Sequence, residues 1–327
     1  MWRTFSQNRL ALAGLVLVAL FGLMALLHPI LLSTVWPPRI YDPETGYDAP
    51  IQEFTVVEEV ADPASQISLA QARFRTNPFV EVGDTVEIPL QPAPPSWRHL
   101  LGTDFFGRDV VSMLMASAGN TFLVGLVAAL TTAVVGTAVA ALSAYQRGAA
   151  DAVLSRVSDV LLLLPAPIFM VVLGASPTLR LGAVGFGVAY GLVAGAGAAA
   201  IVLRSHALTV MARPFIDAAR VAGAGRARIV LRHLVPHMAP LAAAHMLVAV
   251  TGAVVADGFL AFAALSDERF NWGTMIYHSL FSQTLTPQVP WNVLVPAALA
   301  ISLFCAAFYL VSLGLRDIAD PSLQEQR

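Results

Sequence analysis

The sequence predicts an all-α polytopic membrane protein with six transmembrane helices, a helical loop on the cytoplasmic side and a small extracytoplasmic insert of β character. Three observations carry this prediction. Hydrophobic residues make up 57% of the 327-residue chain and charged residues only 12%, about half the roughly 25% charge of a soluble domain. Six apolar runs approach or exceed the roughly 20 residues that a spanning helix needs. The arginines crowd onto one set of the segments that join those runs.

The spans follow in order. Leu10–Leu32 has no charge apart from a histidine, His28, near its end. It exceeds the roughly 7–15 apolar residues of a signal-peptide core, so it is expected to be a retained anchor. Thr121–Tyr145 is uncharged, and Val157–Ala175 carries Asp159 near its start, three residues from Arg156 on the same face. Leu181–Leu203 is glycine-rich, with Gly187, Gly191 and Gly195 at four-residue spacing. Such a row lets helix backbones approach closely in lipid. Met238–Leu265 contains Asp257, and Val293–Leu315 is the last span.

Six spans place both termini on one side. The segments on that side hold twelve arginines, six of them between Arg204 and Arg232, against seven on the other. Positive residues favour the cytoplasmic side, so both termini are expected there. The long segment Ser33–Ala118 falls outside. It is proline-rich, with twelve acidic residues against five arginines, and Val80–Leu90 alternates as a strand does. The resulting organisation is an N-terminal anchor at 1–35, an extracytoplasmic insert at 36–98, a five-helix core at 99–323 with its loop at 213–236, and a tail at 324–327.

Composition also excludes chemistry. All 19 basic residues are arginine. A P-loop needs a lysine on the nucleotide phosphates, and Schiff-base catalysis needs one too, so this chain can supply neither. The single cysteine, Cys305, can form no intrachain disulfide and reads as a small apolar residue of a helix. His233 and His237 have the i, i+4 spacing of a zinc pair, but Pro236 interrupts them and no Glu lies between. No metal site and no catalytic residue is assigned.

The most informative segment is Asp217–Pro236. Pro214 suits a first helical turn, where its missing N–H is not needed. Asp217 sits near the positive end of that helix. Ala218 and Ala219 are strong helix formers, and Gly223 and Gly225 permit a tight bend. A second short helix is expected to follow and to stop before Pro236, with Arg232 in it. The order Asp217-Ala218-Ala219, three residues, Gly223 and then Val235-Pro236 closely resembles the EAA loop of binding-protein-dependent ABC importer permeases. Asp217 stands where that pattern has Glu, keeping the charge and shortening its reach by one methylene.

A second stretch, His99-Leu-Leu-Gly102-Thr103-Asp104-Phe-Phe-Gly107-Arg108-Asp109, resembles the signature of the dipeptide/oligopeptide/nickel branch of that family, in its second permease subunit, the DppC/OppC type. Physically, Gly102 and Gly107 allow turns, Thr103, Asp104 and Asp109 are capping residues, and Arg108 can pair with either acid. The stretch is expected to form a capped helix lying at the outer surface. Asp257-Gly-Phe259-Leu260-Ala-Phe262, the following Trp272-Gly273 and the tail Leu313–Pro321 resemble further family segments.

The resemblance implies a permease that hydrolyses no ATP itself. ATP and Mg would bind two separate ATPase subunits docked on the EAA-type, coupling-helix loop, and this chain would bind no cofactor. A homologous permease subunit would complete a heterodimer, and an extracytoplasmic solute-binding protein would deliver the cargo. The setting would be a bacterial or archaeal cytoplasmic membrane, with the lipid bilayer and no nucleic acid as partner. Peptides are the leading cargo, with nickel or another small solute as the alternative and an ion-coupled carrier as a further one. An acid inside a span is costly and should face protein or water. Asp257, with Phe259 and Phe262, therefore reads either as part of the translocation pathway or its gate, or as a structural hydrogen-bonding element.

Overall fold

A computed structural model of the chain describes residues 8–89, 91–146, 148–174, 176, 179, 181–265, 270–282 and 289–319. Arg3, Leu90, Arg147, Ala175, Arg180, Arg269, Asp320, Pro321, Arg327 and the rest of the tail lie outside the described residues. In chain order the elements are α1 (Arg9–Thr34), α2 (Pro38–Tyr41), β1 (Ile51–Val57), β2 (Gln66–Ser68), α3 (Leu69–Arg75), β3 (Thr85–Pro89), α4 (Val110–Gln146), α5 (Gly148–Leu163), α6 (Ala166–Gly174), α7 (Ala183–Ala194), α8 (Ala200–Met211), α9 (Pro214–Val221), α10 (Arg226–Ile229), α11 (Val235–Phe262), α12 (Trp272–Ser282) and α13 (Trp291–Ala319). They fall into two units. One gathers the described parts of Met1–Pro29, Leu114–Tyr277 and Pro296–Arg327; the other holds Ile30–Met113 and His278–Val295.

Among the described residues, five helices are long and apolar enough to cross a membrane, or six if one bent pair counts as a span. Fold class and approximate span positions agree with the sequence expectation. The third span differs. It is two helices, α5 and α6, bent by 82°. Pro165 explains the break: it donates no backbone N–H, and its ring disfavours helical geometry at Leu164. The carbonyl of Pro165 then accepts from Phe169 N–H at 3.1 Å as α6 starts.

The fourth span is also broken. A π-turn at Gly195–Ala199 joins α7 to α8, and Gly197 leaves helical geometry there with ψ −106°. Gly187, Gly191 and Gly195 pack against α4 of the same chain. A Cβ on Gly191 would lie 2.5 Å from Thr131 Cβ and 2.8 Å from the Ala128 carbonyl oxygen. A Cβ on Gly187 would meet the Val124 carbonyl oxygen at 2.9 Å. The row is therefore a seam inside this chain. Polar capping appears at the start of α1, where the Asn8 side chain accepts from the N–H groups of Leu10 and Ala11, each at 3.1 Å. Gly14 of α1 lies flat against α13, since a Cβ there would come within 2.7 Å of the Ala307 carbonyl oxygen. Phe21, Trp272 and Phe304 then form an aromatic cluster with ring centroids 5.3–5.6 Å apart.

The second unit contains a three-stranded sheet in the order β2-β1-β3. β1 runs parallel to β2 and antiparallel to β3, pairing Phe54 with Val86 and Gln52 with Ile88. Phe54, Val56, Val86 and Ile88 alternate inward and close a small core with Ile67, Ala72 and Val80. The expected β character of Val80–Leu90 is present over Thr85–Pro89, while Val80 reaches the same core from outside the strands.

The glycine seam gives a direct test. Replacing Gly191 with leucine should overpack the α4–α7 contact and cost about 1–3 kcal/mol. The expected readout is a lower midpoint of thermal unfolding in detergent, with a serine at the same position costing less.

Candidate functional site

The loop between α8 and α11 is built from a short helix and a sharply closed turn. Pro214 occupies the first turn of α9, and Arg213 enters it in extended geometry. Asp217 sits in that turn and accepts from Arg220 Nη1 at 2.9 Å. Both side chains are exposed, so the pair adds little stability. The helix ends in a Schellman motif. The N–H of Ala224 bonds the Ala219 carbonyl at 3.0 Å, and the N–H of Gly223 bonds that of Arg220 at 3.0 Å. Gly223 takes φ +78° for this, the left-handed conformation that favours glycine. Gly225 does not need that freedom. It caps α10 in ordinary extended geometry at φ −67°, which corrects the expectation that both glycines make the bend.

The second helix of the loop also differs from expectation. It does not stop before Pro236. α10 runs through a π-turn at Val230–Leu234 into α11, and the N–H of Val235 bonds the Val230 carbonyl five residues back. Pro236 then lies in the first turn of α11, where its missing N–H costs nothing. The proline is absorbed at a helix start and so does not end one.

Inside the loop, Ile216 is fully buried among Met211, Ile229, Leu234 and Met238. Outside, Asp217, Ala218, Gly223, Gly225, Arg232 and Pro236 are exposed, and Ala219 is half-buried. Val221 is 91% exposed, an unusual position for an apolar side chain at the end of a polar loop helix. The Phe215 ring stacks on His237 at 5.0 Å and 22°, tying α9 to α11. His237 Nδ1 lies 2.6 Å from the His233 carbonyl oxygen, so that ring nitrogen serves the helix backbone.

Asp257 is 3% exposed within α11 and accepts a hydrogen bond from Asn271 Nδ2. Asn271 Oδ1 in turn accepts from the Gly273 N–H at 2.7 Å. Gly273 crosses Gly258 so closely that a Cβ on it would lie 2.1 Å from the Gly258 carbonyl oxygen. Trp272, between them, is buried and donates to the Leu114 carbonyl at 3.1 Å. The two sequence segments Asp257–Phe262 and Trp272-Gly273 thus meet. Phe259 (49% exposed) and Phe262 lie on a different side of α11 from buried Asp257. The structure does not gather the three into one cluster.

The second signature folds into a compact loop in the other unit. Gly102 and Gly107 take φ +77° and +79°, and Thr103 bridges Asp109 in antiparallel fashion. A Cβ on Gly102 would strike the Ala93 carbonyl oxygen at 2.3 Å. Thr103 Oγ1 accepts from the Ala93 N–H at 2.9 Å. Arg108 chooses Asp104, donating from Nε at 2.8 Å and Nη2 at 2.6 Å to one oxygen. Asp109 caps α4 through the Ser112 N–H at 2.7 Å and holds His99 Nδ1 at 2.8 Å. The other ring nitrogen of His99 lies 3.0 Å from Asp48 Oδ2. The expected separate surface helix is absent here, because Asp109 starts the spanning helix α4 itself.

Sequence reading passed over one constellation. Arg204 donates to Asp151 from Nε and Nη2, both at 2.6 Å, and from Nε to Ser143 Oγ at 2.9 Å. Ser143 also donates to Asp151. Arg204 directly after the fourth apolar run, and Asp151 in the segment between the second and third, were the available signal. Asp159, which the sequence pairs with Arg156, makes a looser exposed contact at 3.9 Å.

Bundled apolar helices, internal polar ties and an exposed helical loop define the class: a polytopic helical membrane protein. The particular family follows from comparison. The family described as binding-protein-dependent transport system inner membrane component matches residues 133–325, more than half of the chain, and the chain belongs to it. The N-terminal TM domain of oligopeptide transport permease C matches residues 1–50. A third model, the NusA N-terminal domain, matches residues 39–108, which contain the sheet. The chain is 30% identical over 230 residues to the oligopeptide transport system permease protein OppC of Haemophilus influenzae, covering 68% of this chain and 70% of that one. It is 30% identical over 244 residues to a protein named as a peptide transport system permease of Brucella suis, covering 74% and 79%. A second Brucella suis protein, named as a peptide permease, is 29% identical over 242 residues, covering 72% and 77%. The chain is thus a multi-pass permease component of a binding-protein-dependent system, and not its catalytic subunit.

Two substitutions separate the loop from the acid site. Gly223→Val forces a β-branched residue to positive φ and should cost about 1–3 kcal/mol locally, read as faster amide exchange across Ala219–Ala224 with α4 and α13 unchanged. Asp257→Ala leaves the Asn271 amide without this acceptor and should lower overall stability by about 1–3 kcal/mol, seen as a reduced unfolding midpoint that Asp257→Asn partly restores.

Proposed function

We propose that this chain forms half of the membrane pathway of an ATP-driven importer for di- and oligopeptides, and that α9 with its Gly223 turn docks a separate ATPase subunit. The single observation that carries this reading is the construction of α9. One face is anchored by buried Ile216, the end is closed by Gly223, and the outward face carries Asp217, Ala218 and a nearly bare Val221. A helix held so firmly on one side, with apolar surface left on the other, suits a partner that must push on it. The absence of lysine supports an external energy source, because this chain has no P-loop lysine.

In this reading two ATPase subunits hold ATP and Mg, and this chain holds no cofactor. A second, homologous permease chain completes a heterodimer around the pathway. The solute-binding protein meets the opposite face. The arginine distribution supports a cytoplasmic position for the loop and both termini. Asp257 belongs to the pathway or its gate through the backbone crossing it holds with Asn271, with Phe259 and Phe262 on the exposed side of α11. Peptide cargo is supported by the names of the relatives, OppC of Haemophilus influenzae and the Brucella suis permeases.

Co-expression with the candidate ATPase, sister-permease and binding-protein chains tests the reading. The ATPase should co-purify with this chain, and peptide-loaded binding protein should stimulate hydrolysis. Gly223→Val should uncouple that hydrolysis from uptake. Uptake that persists without any ATPase would identify an ion-coupled carrier and refute the proposal.

A further inference from the structure

The Asp151–Arg204 pair joins elements that the docking reading leaves unconnected. α8 leads into the loop, since only Ala212 and Arg213 separate Met211 from Pro214. α8 is not a rigid extension of α7, because the π-turn and the non-helical Gly197 lie between them. A displacement of α9 therefore reaches α8 before it reaches the rest of the fourth span.

α8 is gripped by α5. Arg204 on α8 makes two charge-assisted hydrogen bonds to the two oxygens of Asp151 in the first turn of α5. Ser143, near the end of α4, bonds both partners. A two-point Arg–carboxylate contact sets orientation as well as distance, and the shared serine restricts it further. α5 touches the same span a second time at the kink itself. A Cβ on Gly197 would lie 3.2 Å from Leu161 Cβ. About ten residues of α5, roughly 15 Å of helix, lie between Asp151 and Leu161.

Beyond Leu161 the chain bends by 82° into α6. α6 then packs on α11: Met170 is fully buried, and a Cβ on Gly174 would lie 2.6 Å from Leu260 Cδ2. Leu260 is one turn from Asp257 on the same helix. The bent pair thus runs from the helix beside the docking loop to the helix segment that carries Asp257.

We propose that Asp151 and Arg204 are positioning residues that lock α5 to α8, making the bent α5–α6 pair a second lever, beside the continuous α10–α11 helix, that carries docking-loop motion to the Asp257 segment. The inference rests on the docking reading and adds to it the route of the motion. A merely structural ion pair would support folding without transmitting a nucleotide-dependent change.

The test uses the assembled transporter in nanodiscs. Spin labels are placed at Leu163→Cys, at the bend and 81% exposed, and at Leu303→Cys on α13, in a Cys305→Ala background. Distances are measured by pulsed electron resonance without nucleotide and with ATP and vanadate. With the pair intact, the modal distance should shift by about 2 Å or more. Asp151→Asn should abolish the shift while the ATPase still co-purifies. The exchanged variant Asp151→Arg with Arg204→Asp should restore it.

A shift that survives Asp151→Asn overturns the proposal, as does no shift with the native pair. If Asp151→Asn fails to assemble, the exchanged variant decides. Restored assembly with a restored shift supports the joint; assembly without a shift, or none at all, makes the pair a folding element only and overturns it. Failure of the native chain to hold an ATPase is a separate result, and it removes the docking reading itself.

Discussion

Lipid gives helices little reason to associate, because hydrocarbon is as apolar as their side chains. Close backbone contact therefore has to do the packing, and here it is made by Gly187 and Gly191 of α7 and Gly195 of the following π-turn against α4. Where Gly187, Gly191 and Gly195 stand, a single methyl group would collide with backbone carbonyls or β-branched side chains of the neighbouring span. Gly14 on α13 and Gly273 on Gly258 repeat the device. These crossings set α7 on α4, α1 on α13 and α12 on α11.

Polar groups do the other half of the work. An acid in or near a membrane-spanning helix is tolerated when protein supplies a partner, and that partner then fixes a second element. Asp257 takes Asn271 and so pins the Trp272-Gly273 backbone beside α11. Asp151 takes Arg204 and Ser143, drawing three helices together. Such ties are specific in direction, whereas apolar packing in lipid is not. Pro165 and Gly197 supply the complementary breaks, so two spans contain segments that are held firmly but are not continuous rods.

The exposed loop combines both principles. Its backbone is closed by the Schellman bonds at Ala219 and Arg220, and one side is buried through Ile216. What is left outward is small Ala218, the Asp217–Arg220 pair and a Val221 that is almost fully exposed. The proposed docking role would need that combination, because a flexible loop would absorb a push that a capped and anchored helix passes on. In the second unit, glycine turns and the Asp104–Arg108 and Asp109–His99 contacts order the approach to α4.

Much was legible in the sequence. Apolar run length determined the spans, and the order of residues from Asp217 to Pro236 marked the loop, because a tight turn leaves a glycine and a helix start tolerates a proline. The β character of the insert was readable from alternation. The sequence did not show that Gly225 is conformationally ordinary, that Pro236 starts α11 instead of ending a helix, or that the third span bends by 82°. Nor did it pair Asp151 with Arg204, 53 residues apart, or Asp257 with Asn271. Span length, charge bias and turn chemistry are local and survive as patterns along one chain. Which helices cross, which acid meets which base, and where a helix yields are decided by neighbours distant in sequence, and only the folded chain brings those neighbours into contact.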